Sequence, residues 1–280
     1  MERLQLRKML EAFYLEDIGS GDCTSEVIFD GQHGRAIIHS KSNGIFAGGQ
    51  IITEGFRLLD PDIQVELRKQ DGEGVSRGEY IASMEGPVAA LLTGERVILN
   101  LIQRMSGIAT MTAHAVGSLN DPSIRICDTR KTTPGIRMLE KYAVRAGGGF
   151  NHRQGLYDGI MIKDNHIAAC GSITKAVERA RSAAGHMMNI EVEIETEEQL
   201  HEAIAASPDI IMFDNCSPDT VRRFAALTPE HIVTEASGGI TMDTLPAYRG
   251  TGVHYISLGF LTHSVQSLDI SMDITDSEEE

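Results

Sequence analysis

The chain has 280 residues, of which 41% are hydrophobic and 23% charged, and its formal net charge at pH 7 is −15. This length predicts one large or two modest domains with a full hydrophobic core. The acidic balance argues against duplex nucleic acid and anionic membranes as partners. Apolar runs fall far short of the roughly 20 residues that span a bilayer. The first residues are charged and show no apolar secretory signal, so a cytoplasmic protein is expected.

Residues 1–106 predict a first domain of the α+β, sandwich-like kind. Apolar residues recur at helical spacing within residues 1–18. Short β-like runs broken by glycine follow at 35–50 and 63–84. An opening helix followed by short strands is typical of a small mixed domain.

A long helical pattern begins after Pro87 and includes Arg96, which the sequence alone would leave on the helix surface. Ser106-Gly107 predicts a kink or a break in this helix. We place the start of a second domain there, covering residues 107–264. The tail, about 265–280, is expected to return to the first domain.

A different sequence pattern begins at residue 124, where short apolar strands alternate with helical patterns. Strands are predicted at 124–127, 159–162, 190–194, 210–213, 232–234 and 253–258, and helices at 137–146, 173–184, 197–206, 218–227 and 242–248. Such spacing predicts parallel strand-helix-strand units, and polar residues follow the strands as on the active-site face of a (β/α) barrel. The region is shorter than the about 250 residues of an eightfold barrel. We therefore predict an α/β fold with an incomplete (β/α) barrel of about six to seven strands.

The segment 125–166 concentrates positive charge in an otherwise acidic chain. It holds eight of the 25 Lys and Arg residues against four carboxylates. Such a cluster, set among glycines and histidines, favours a small polyanion over a nucleic acid as ligand. A solvated charged face is the alternative, and it suits Lys141 and Arg145 on their helical pattern. It poorly suits the cations that lie beside turn residues, which are Arg130, Lys131, Arg153 and Lys163, together with His152.

Carboxylates alternate with apolar residues along the strand predicted at 190–194. Glu191, Glu193 and Glu195 would therefore share one strand face. With Asp214 at the end of the next strand, they form a set of oxygen donors suited to Mg²⁺. For Glu191 and Glu195 we accept a plain structural role, near strand ends in solvent or paired with Lys and Arg.

Two glycine turns at the ends of the last strands predict a phosphate clamp. Ser237-Gly238-Gly239 follows a strand and precedes a helix predicted to begin near Thr241, where backbone N–H groups favour a phosphate. The turn at Gly259 would form the second half of the clamp, as in many phosphate-handling barrels.

Several motifs carry a family resemblance. They are Asp128-Thr129-Arg130-Lys131-Thr132-Thr133-Pro134-Gly135, Glu140-Lys141-Tyr142-Ala143-Val144, Gly147-Gly148-Gly149, Asn151-His152-Arg153 and Ile162-Lys163-Asp164-Asn165-His166. They closely resemble the quinolinate phosphoribosyltransferase family, and further matches cover nearly the whole chain. The resemblance implies an open barrel of seven strands. It also implies a pentosyltransferase that moves the phosphoribosyl group of phosphoribosyl pyrophosphate to quinolinate with loss of CO₂, giving nicotinate mononucleotide in NAD biosynthesis.

The resemblance also implies the site residues and the partners. The residues expected around quinolinate are Arg130, His152, Arg153 and Lys163, with Lys131 between the two substrates, and Thr129 is a further predicted substrate contact. Glu193 and Asp214 would meet the ribose and hold Mg²⁺, and with Lys131 they form the predicted catalytic set. Arg96 would be donated by a second subunit, which implies a homodimer or larger oligomer. The remaining predicted substrate contacts are Ser237, Gly238, Gly239, Gly259 and His263.

Three other functions are consistent with parts of the pattern. Lys163 at a strand end could form a Schiff base in a barrel lyase, which borohydride trapping would reveal. A paralogous phosphoribosyltransferase acting on another base, such as the molybdenum-associated homologue, is disfavoured because a neutral base would not need so many cations. A non-catalytic binding or scaffold protein would leave the interior Glu193 and Asp214 without a purpose.

Overall fold

The computed structural model describes residues 1–275, and the contacts divide the chain into two compact units. The first, here the N-terminal unit, comprises Met1–Met111, Met138–Gly148 and the segment from Val265 onward. The second, here the barrel unit, comprises Thr112–Arg137 and Gly149–Ser264. The domain limits of the sequence analysis stay predictions, and residues 276–280 of the predicted tail lie outside the described residues.

The first part of the chain contains short strands and three helices before one long helix. In chain order the elements are α1 (Arg3–Ile18), α2 (Ser25–Ile28), β1 (His33–Ser40), β2 (Gly44–Ile45), α3 (Gly49–Leu59), β3 (Gln64–Leu67), β4 (Gly74–Val75), β5 (Tyr80–Pro87) and α4 (Val88–Leu119). Two helices in this part, α2 and α3, were not predicted from the sequence.

The second part of the chain alternates strands and helices. Its elements are β6 (Arg125–Cys127), α5 (Arg137–Ala146), β7 (Ile160–Ile162), α6 (Asp164–Cys170), α7 (Ile173–Ala183), β8 (Ile190–Ile194), α8 (Glu197–Ala206), β9 (Ile210–Asp214), α9 (Pro218–Leu227), β10 (Val233–Ser237), a 3-10 helix (Leu245–Tyr248), β11 (Tyr255–Ser257), α10 (Phe260–His263) and β12 (Ile270–Thr275).

The N-terminal unit is built on an antiparallel sheet of order β12-β1-β5-β3. Along β1, Ala36, Ile38 and Ser40 are buried while the residues between them are partly exposed, as the two-residue period of a strand requires. Helices α1 and α3 pack against one another. Phe56 of α3 is fully buried, so this face of α3 belongs to the hydrophobic core.

Helix α4 runs without interruption through Ser106-Gly107, so the predicted break is wrong. Gly107 is required for another reason. A Cβ atom at this position would lie 2.2 Å from the backbone oxygen of Gln266. The glycine therefore allows the C-terminal segment to cross the helix in close contact.

The barrel unit holds a parallel sheet of order β6-β11-β10-β9-β8-β7. Phe150 adds a parallel bridge to Cys127, on the far side of β6 from β11. Within the described residues β7 pairs only with β8, so the strands do not close into a ring. The predicted α/β class with an incomplete barrel is confirmed.

Local differences from the predicted elements are small but bear on the site. The helix predicted at 242–248 is a turn followed by a single 3-10 turn at Leu245–Tyr248. A short helix, α6, directly follows Lys163, and α10 directly follows Gly259. In the described part of the chain, no helix has the length and apolar character needed to cross a bilayer.

Candidate active site

A cavity of about 470 Å³ opens at the carboxyl ends of the parallel strands in the barrel unit. The predicted residues that line it are Thr129, Arg130, Lys131, His152, Arg153, Lys163, Glu193, Asp214, Ser237, Gly238 and Gly239. Gly259 and His263 line an adjoining pocket that shares Thr129, Lys131 and the Ser237–Gly239 turn. The carboxyl end of a parallel barrel is where enzymes of this architecture place their active sites.

Arg96 lies elsewhere, on α4 in the N-terminal unit. Its side chain is 61% exposed and pairs with the neighbouring Glu95 at 3.3 Å. Arg96 lines a small pocket together with Glu16, Asp17 and Asn100. A weak surface pair of this kind leaves the guanidinium available to another ligand.

Two loops carry most of the cations, and the buried Asp128 connects them. Its Oδ1 accepts the backbone N–H of His152 at 2.9 Å, and its Oδ2 accepts the side-chain amide of Asn151 at 2.6 Å. Asp128 follows β6 directly, so the strand fixes the loop that bears Arg130 and Lys131. These hydrogen bonds hold the segment after Phe150 beside that loop.

A second connection between these loops runs through Arg137. Its Nε donates to Thr132 Oγ1 at 2.8 Å, and its Nη1 donates to the Gln154 carbonyl at 3.0 Å. Sequence analysis assigned Arg137 to the cationic segment only. The bridge it forms depends on two loops that meet only in the folded chain.

Arg130 and Arg153 give the cavity a strongly positive wall. The Nε of Arg130 is buried and has no hydrogen-bond partner in the described part of the chain. Burial and the nearby charge of Arg130 lower the pKa of Arg153, whose Nη1 donates to the Gly159 carbonyl at 3.0 Å. Two guanidinium groups held together with an unsatisfied donor are suited to bind an anionic ligand.

The opposite wall is acidic and begins with an ion pair. Lys163, at the end of β7, hydrogen-bonds the Glu193 carboxylate on β8. Burial raises the pKa of Glu193, while the Lys163 hydrogen bond lowers it and the charge of Asp214 raises it further. Burial also raises the pKa of Asp214, with the charge of Glu195 as the next cause. Asp214 therefore disfavours the charged form of Glu193, and Glu195 disfavours that of Asp214.

The Ser237–Gly239 turn packs tightly against the end of β9. Gly238 and Gly239 have φ of 83° and 64°, and a Cβ on Gly238 would lie 2.3 Å from Asn215 Oδ1. Glycine is required at Gly238 for both conformation and space. The helix expected near Thr241 is absent in the described structure, so any anion binding here depends on the backbone N–H groups of consecutive left-handed residues.

The second glycine turn, at Gly259, lies beside the loop that bears Arg130 and Lys131. A Cβ on Gly259 would lie 3.2 Å from both His263 and the Lys131 side chain. Thr262 donates its hydroxyl to the Lys131 carbonyl at 2.8 Å. Short helix α10 thus supports the backbone of Lys131.

Glu191 has a different environment from the one expected. It is 4% exposed and lies in the barrel interior, with Oε2 3.1 Å from His152 Nε2. Glu235 on β10 is equally buried, with Oε1 3.7 Å from the same nitrogen. Burial and the charge of Glu191 raise the pKa of Glu235 to about 8. The interpretation of Glu191 as a solvent-exposed or cation-paired residue is therefore wrong, because this face of β8 points into the barrel.

Three lining residues were not found from the sequence, namely Met161, Met212 and Ser257, whereas Asn215 lines the cavity as one of the polar residues that follow the strands. Ser257 donates to Ser237 Oγ at 2.8 Å and so links β11 to β10. The sequence did contain one signal that could have located Glu235. It lies two residues before Ser237 in β10, so the two-residue period of a strand places both side chains on the same face.

The fold and the cavity define a (β/α)-barrel enzyme with a cationic pocket that faces a pair of acids. Residues 108–273 match the family described as quinolinate phosphoribosyl transferase, C-terminal domain, and residues 22–106 match its N-terminal domain. The chain belongs to the quinolinate phosphoribosyltransferase family. The resemblance read from the sequence and the predicted enzyme class, a pentosyltransferase, are confirmed.

Individual relatives agree with this membership. The chain is 71% identical over 279 residues to a probable nicotinate-nucleotide pyrophosphorylase [carboxylating] of Bacillus subtilis, covering 100% of this chain and 96% of the relative. It is 44% identical to the protein of the same description from Synechocystis, with 95% and 91% covered. The solved structure of NadC from Streptococcus pyogenes superposes with a TM-score of 0.94 at 41% identity, and 99% of each chain is covered.

Proposed function

We propose that this chain transfers the phosphoribosyl group of phosphoribosyl pyrophosphate to quinolinate and releases pyrophosphate and CO₂, giving nicotinate mononucleotide. The proposal rests on one observation, that a cationic wall and the carboxylates of Glu193 and Asp214 line the same cavity. Family membership supports the same reaction. A cytoplasmic location belongs to the proposal as well.

The cationic wall suits a pyridine that bears two adjacent carboxylates. Arg130 and Arg153 can each present a planar fork to a carboxylate, and the unsatisfied Nε of Arg130 provides a donor for it. Lys163 adds an ammonium group beside them, already oriented by Glu193. His152 completes this wall, and its ring contacts Glu191 and the backbone N–H of Arg153.

The acidic wall suits the sugar phosphate with its metal. Glu193 and Asp214 are hard oxygen donors at the ends of adjacent strands, and a divalent cation would offset the negative charge of Asp214 that raises the pKa of Glu193. The residues therefore fit Mg²⁺, with Asp214 and Glu193 as its protein ligands. When bound, Mg²⁺ neutralises charge on the departing pyrophosphate. The phosphate-binding groups of the protein would be the turns at Ser237–Gly239 and Gly259, together with His263.

Catalysis by these residues requires position and charge rather than a nucleophile. The pyridine nitrogen attacks C1 of the ribose as the bond to pyrophosphate breaks, and positive charge develops on the sugar. Glu193 and Asp214 face that charge, while Lys131 lies where it can contact both substrates. The C2 carboxylate then leaves as CO₂, because the cationic ring nitrogen stabilises the electron pair left on C2, and that pair takes up a proton from water to give nicotinate mononucleotide.

Arg96 enters the proposal as a residue shared between subunits. Its exposed guanidinium would reach the quinolinate carboxylates of a second copy in a homodimer or larger oligomer. The surface pair with Glu95 is weak enough to exchange for a bidentate contact with a carboxylate.

The reaction is tested with quinolinate labelled at the C2 carboxyl. We expect labelled CO₂ only when phosphoribosyl pyrophosphate and Mg²⁺ are both present, with one nicotinate mononucleotide formed per CO₂. Borohydride added to the protein with a carbonyl substrate should leave no adduct on Lys163. Release of CO₂ without phosphoribosyl pyrophosphate, or a covalent adduct on Lys163, would show that another reaction takes place.

A further inference from the structure

One imidazole and two carboxyl groups meet in the barrel interior beside the substrate cavity. His152 lines this cavity and also a second one of about 520 Å³, whose lining includes Glu191 and Glu235. The second cavity lies at the amino ends of β7 to β10, with Asn189 and Asp209 in its wall. The proposed reaction assigns no role to Glu191 or Glu235.

The hydrogen bonds of His152 indicate which ring nitrogen carries the proton. Its Nδ1 accepts the backbone N–H of Arg153 at 2.8 Å. In a neutral imidazole the other nitrogen then carries the hydrogen. Nε2–H therefore donates to Oε2 of Glu191, 3.1 Å away, while Glu235 Oε1 at 3.7 Å is too distant for a good hydrogen bond.

This arrangement leaves surplus negative charge in a buried space. Oε1 of Glu191 and Oε1 of Glu235 have no hydrogen-bond partner among residues 1–275. Two adjacent buried carboxylates cannot both be ionised at low cost when the only imidazole between them is neutral. A proton on Glu235 removes the cost, because Glu235 is the carboxyl that the imidazole does not hold.

The groups around Glu235 favour this proton. Burial and the charge of Glu191 raise its pKa most, and Glu193 adds to the rise. The Ser257 hydroxyl opposes the rise, as would a positive charge on His152, but the Arg153 N–H that donates to Nδ1 disfavours that charge. β9 places the apolar Met212 beside it in register. The other ionisable side chains in the second cavity are Cys127, Arg153, Asp158, Asp209, His231 and Tyr255.

We propose that Glu235 is a neutral carboxylic acid and that Glu191 and Glu235 together position the ring of His152 in the substrate cavity. Glu191 fixes Nε2, and the neutral Glu235 keeps a second negative charge away from that hydrogen bond. The link to quinolinate binding rests on the proposed function, which places His152 against the substrate. Loss of the proton from Glu235 would repel Glu191, displace the ring and weaken that contact.

A divalent cation is the other occupant that this donor set could hold. The three potential ligand atoms lie within 4.8 Å of one another. Ligation through Nε2 would require the imidazole proton on Nδ1, where the Arg153 N–H already donates. The observed hydrogen bond therefore favours a proton over a cation.

The charge of Glu235 can be measured on the free protein. Glu235→Gln keeps the shape of a neutral acid and cannot ionise. We expect infrared difference spectra to show the carbonyl band of a protonated carboxyl in the wild type, lost on raising the pH above about 8 and lacking in Glu235→Gln. This readout requires no turnover, so it remains valid if the proposed reaction is wrong. Absence of the band, or a tightly bound divalent ion that the wild type holds and Glu235→Gln loses, would overturn the proposal.

The effect on His152 is measured through the pH profile for quinolinate. We expect Glu235→Gln to retain kcat/KM near neutral pH within a few-fold and to abolish a decline that the wild type shows in the alkaline range. Glu178→Gln, an exposed change on α7, should keep the wild-type profile. A folded Glu235→Gln protein that is inactive at every pH, or one that retains the alkaline decline, would contradict the positioning role. If this variant fails to fold, the infrared titration of the wild type still decides the charge state.

Discussion

Lys163 and Glu193 form an ion pair across adjacent strands β7 and β8, at the boundary between the cationic and acidic walls of the cavity. Glu193 is the more buried of the two side chains, at 16% exposed against 43%. The lysine thus has two functions in the proposed reaction. It would bind quinolinate, and by lowering the pKa of Glu193 it favours the ionised form of that carboxyl.

Lys163→Ala is expected to impair both functions. Because Lys163 lowers the pKa of Glu193 through hydrogen bonding and charge, its loss should raise that pKa further. Activity that requires ionised Glu193 is then lost as pH falls, so the acid limb of the rate profile should move to higher pH. We expect kcat/KM to fall roughly 10²- to 10³-fold, in the range for lost charge stabilisation. Lys175→Ala, an exposed change on α7, is the control, and an unmoved acid limb would refute the coupling.

Asp214→Asn should weaken the use of magnesium and phosphoribosyl pyrophosphate while leaving quinolinate binding nearly unchanged. The substitution removes a charge from the acidic wall but keeps its shape. We expect the Mg²⁺ concentration for half-maximal rate to rise by about tenfold or more. Steady-state rates over a Mg²⁺ series measure this, with Asp219→Asn on the exposed face of α9 as the control. Wild-type Mg²⁺ dependence would remove Asp214 from the proposed metal site.

Arg96→Ala tests the shared site through subunit complementation. Arg96→Ala and Lys163→Ala proteins should each be inactive, whereas a hybrid dimer would hold one site with both residues intact. Random reassembly should restore roughly a quarter of wild-type activity if the oligomer is a two-fold dimer. Recovery is measured after mixing and refolding, with each variant refolded alone as the reference. No recovery, despite hybrid formation, would mean that Arg96 does not act across an interface.

Two glycines of α4 provide a matched pair for stability. A side chain on Gly107 would collide with the Gln266 carbonyl at 2.2 Å, so Gly107→Ala should destabilise the protein by about 1–3 kcal/mol or more. Gly117 has open space at the corresponding position, so Gly117→Ala should stabilise by about 0.5–1 kcal/mol through helix propensity. Chemical denaturation of both variants measures the difference. Equal effects would show that close packing at Gly107 is unimportant.

The pH dependence of stability should change in Glu235→Gln. The folded protein holds the pKa of Glu235 near 8, above the ordinary 4.5 of an unfolded chain. The contribution of Glu235 to the free energy of unfolding is therefore complete below pH 4.5 and is lost as the pH rises through about 8. Thermal unfolding temperatures of the variant and the wild type should diverge over this interval in favour of the variant. A difference that stays constant with pH would mean that Glu235 is ionised in the folded state.

The sequence by itself determined the architecture and most residues of the site. The period of short strands and helices after residue 124 predicted the parallel barrel, because each strand must bury its apolar residues on both faces. The strand-end positions of Arg130, Lys163 and Asp214 placed them together, since parallel strands end at one edge. The motifs then indicated the family.

Only the tertiary structure decided the role of residues whose neighbours are distant in the chain. Gly107 breaks no helix, because its requirement comes from Gln266 in another segment. Glu191 and Glu235 lie on strands β8 and β10, which β9 separates. The sequence of neither strand reveals that the imidazole of His152 lies between the two carboxyl groups. Side-chain alternation specifies which face a residue occupies, but barrel curvature determines which faces meet, and with them the burial and charge of each group.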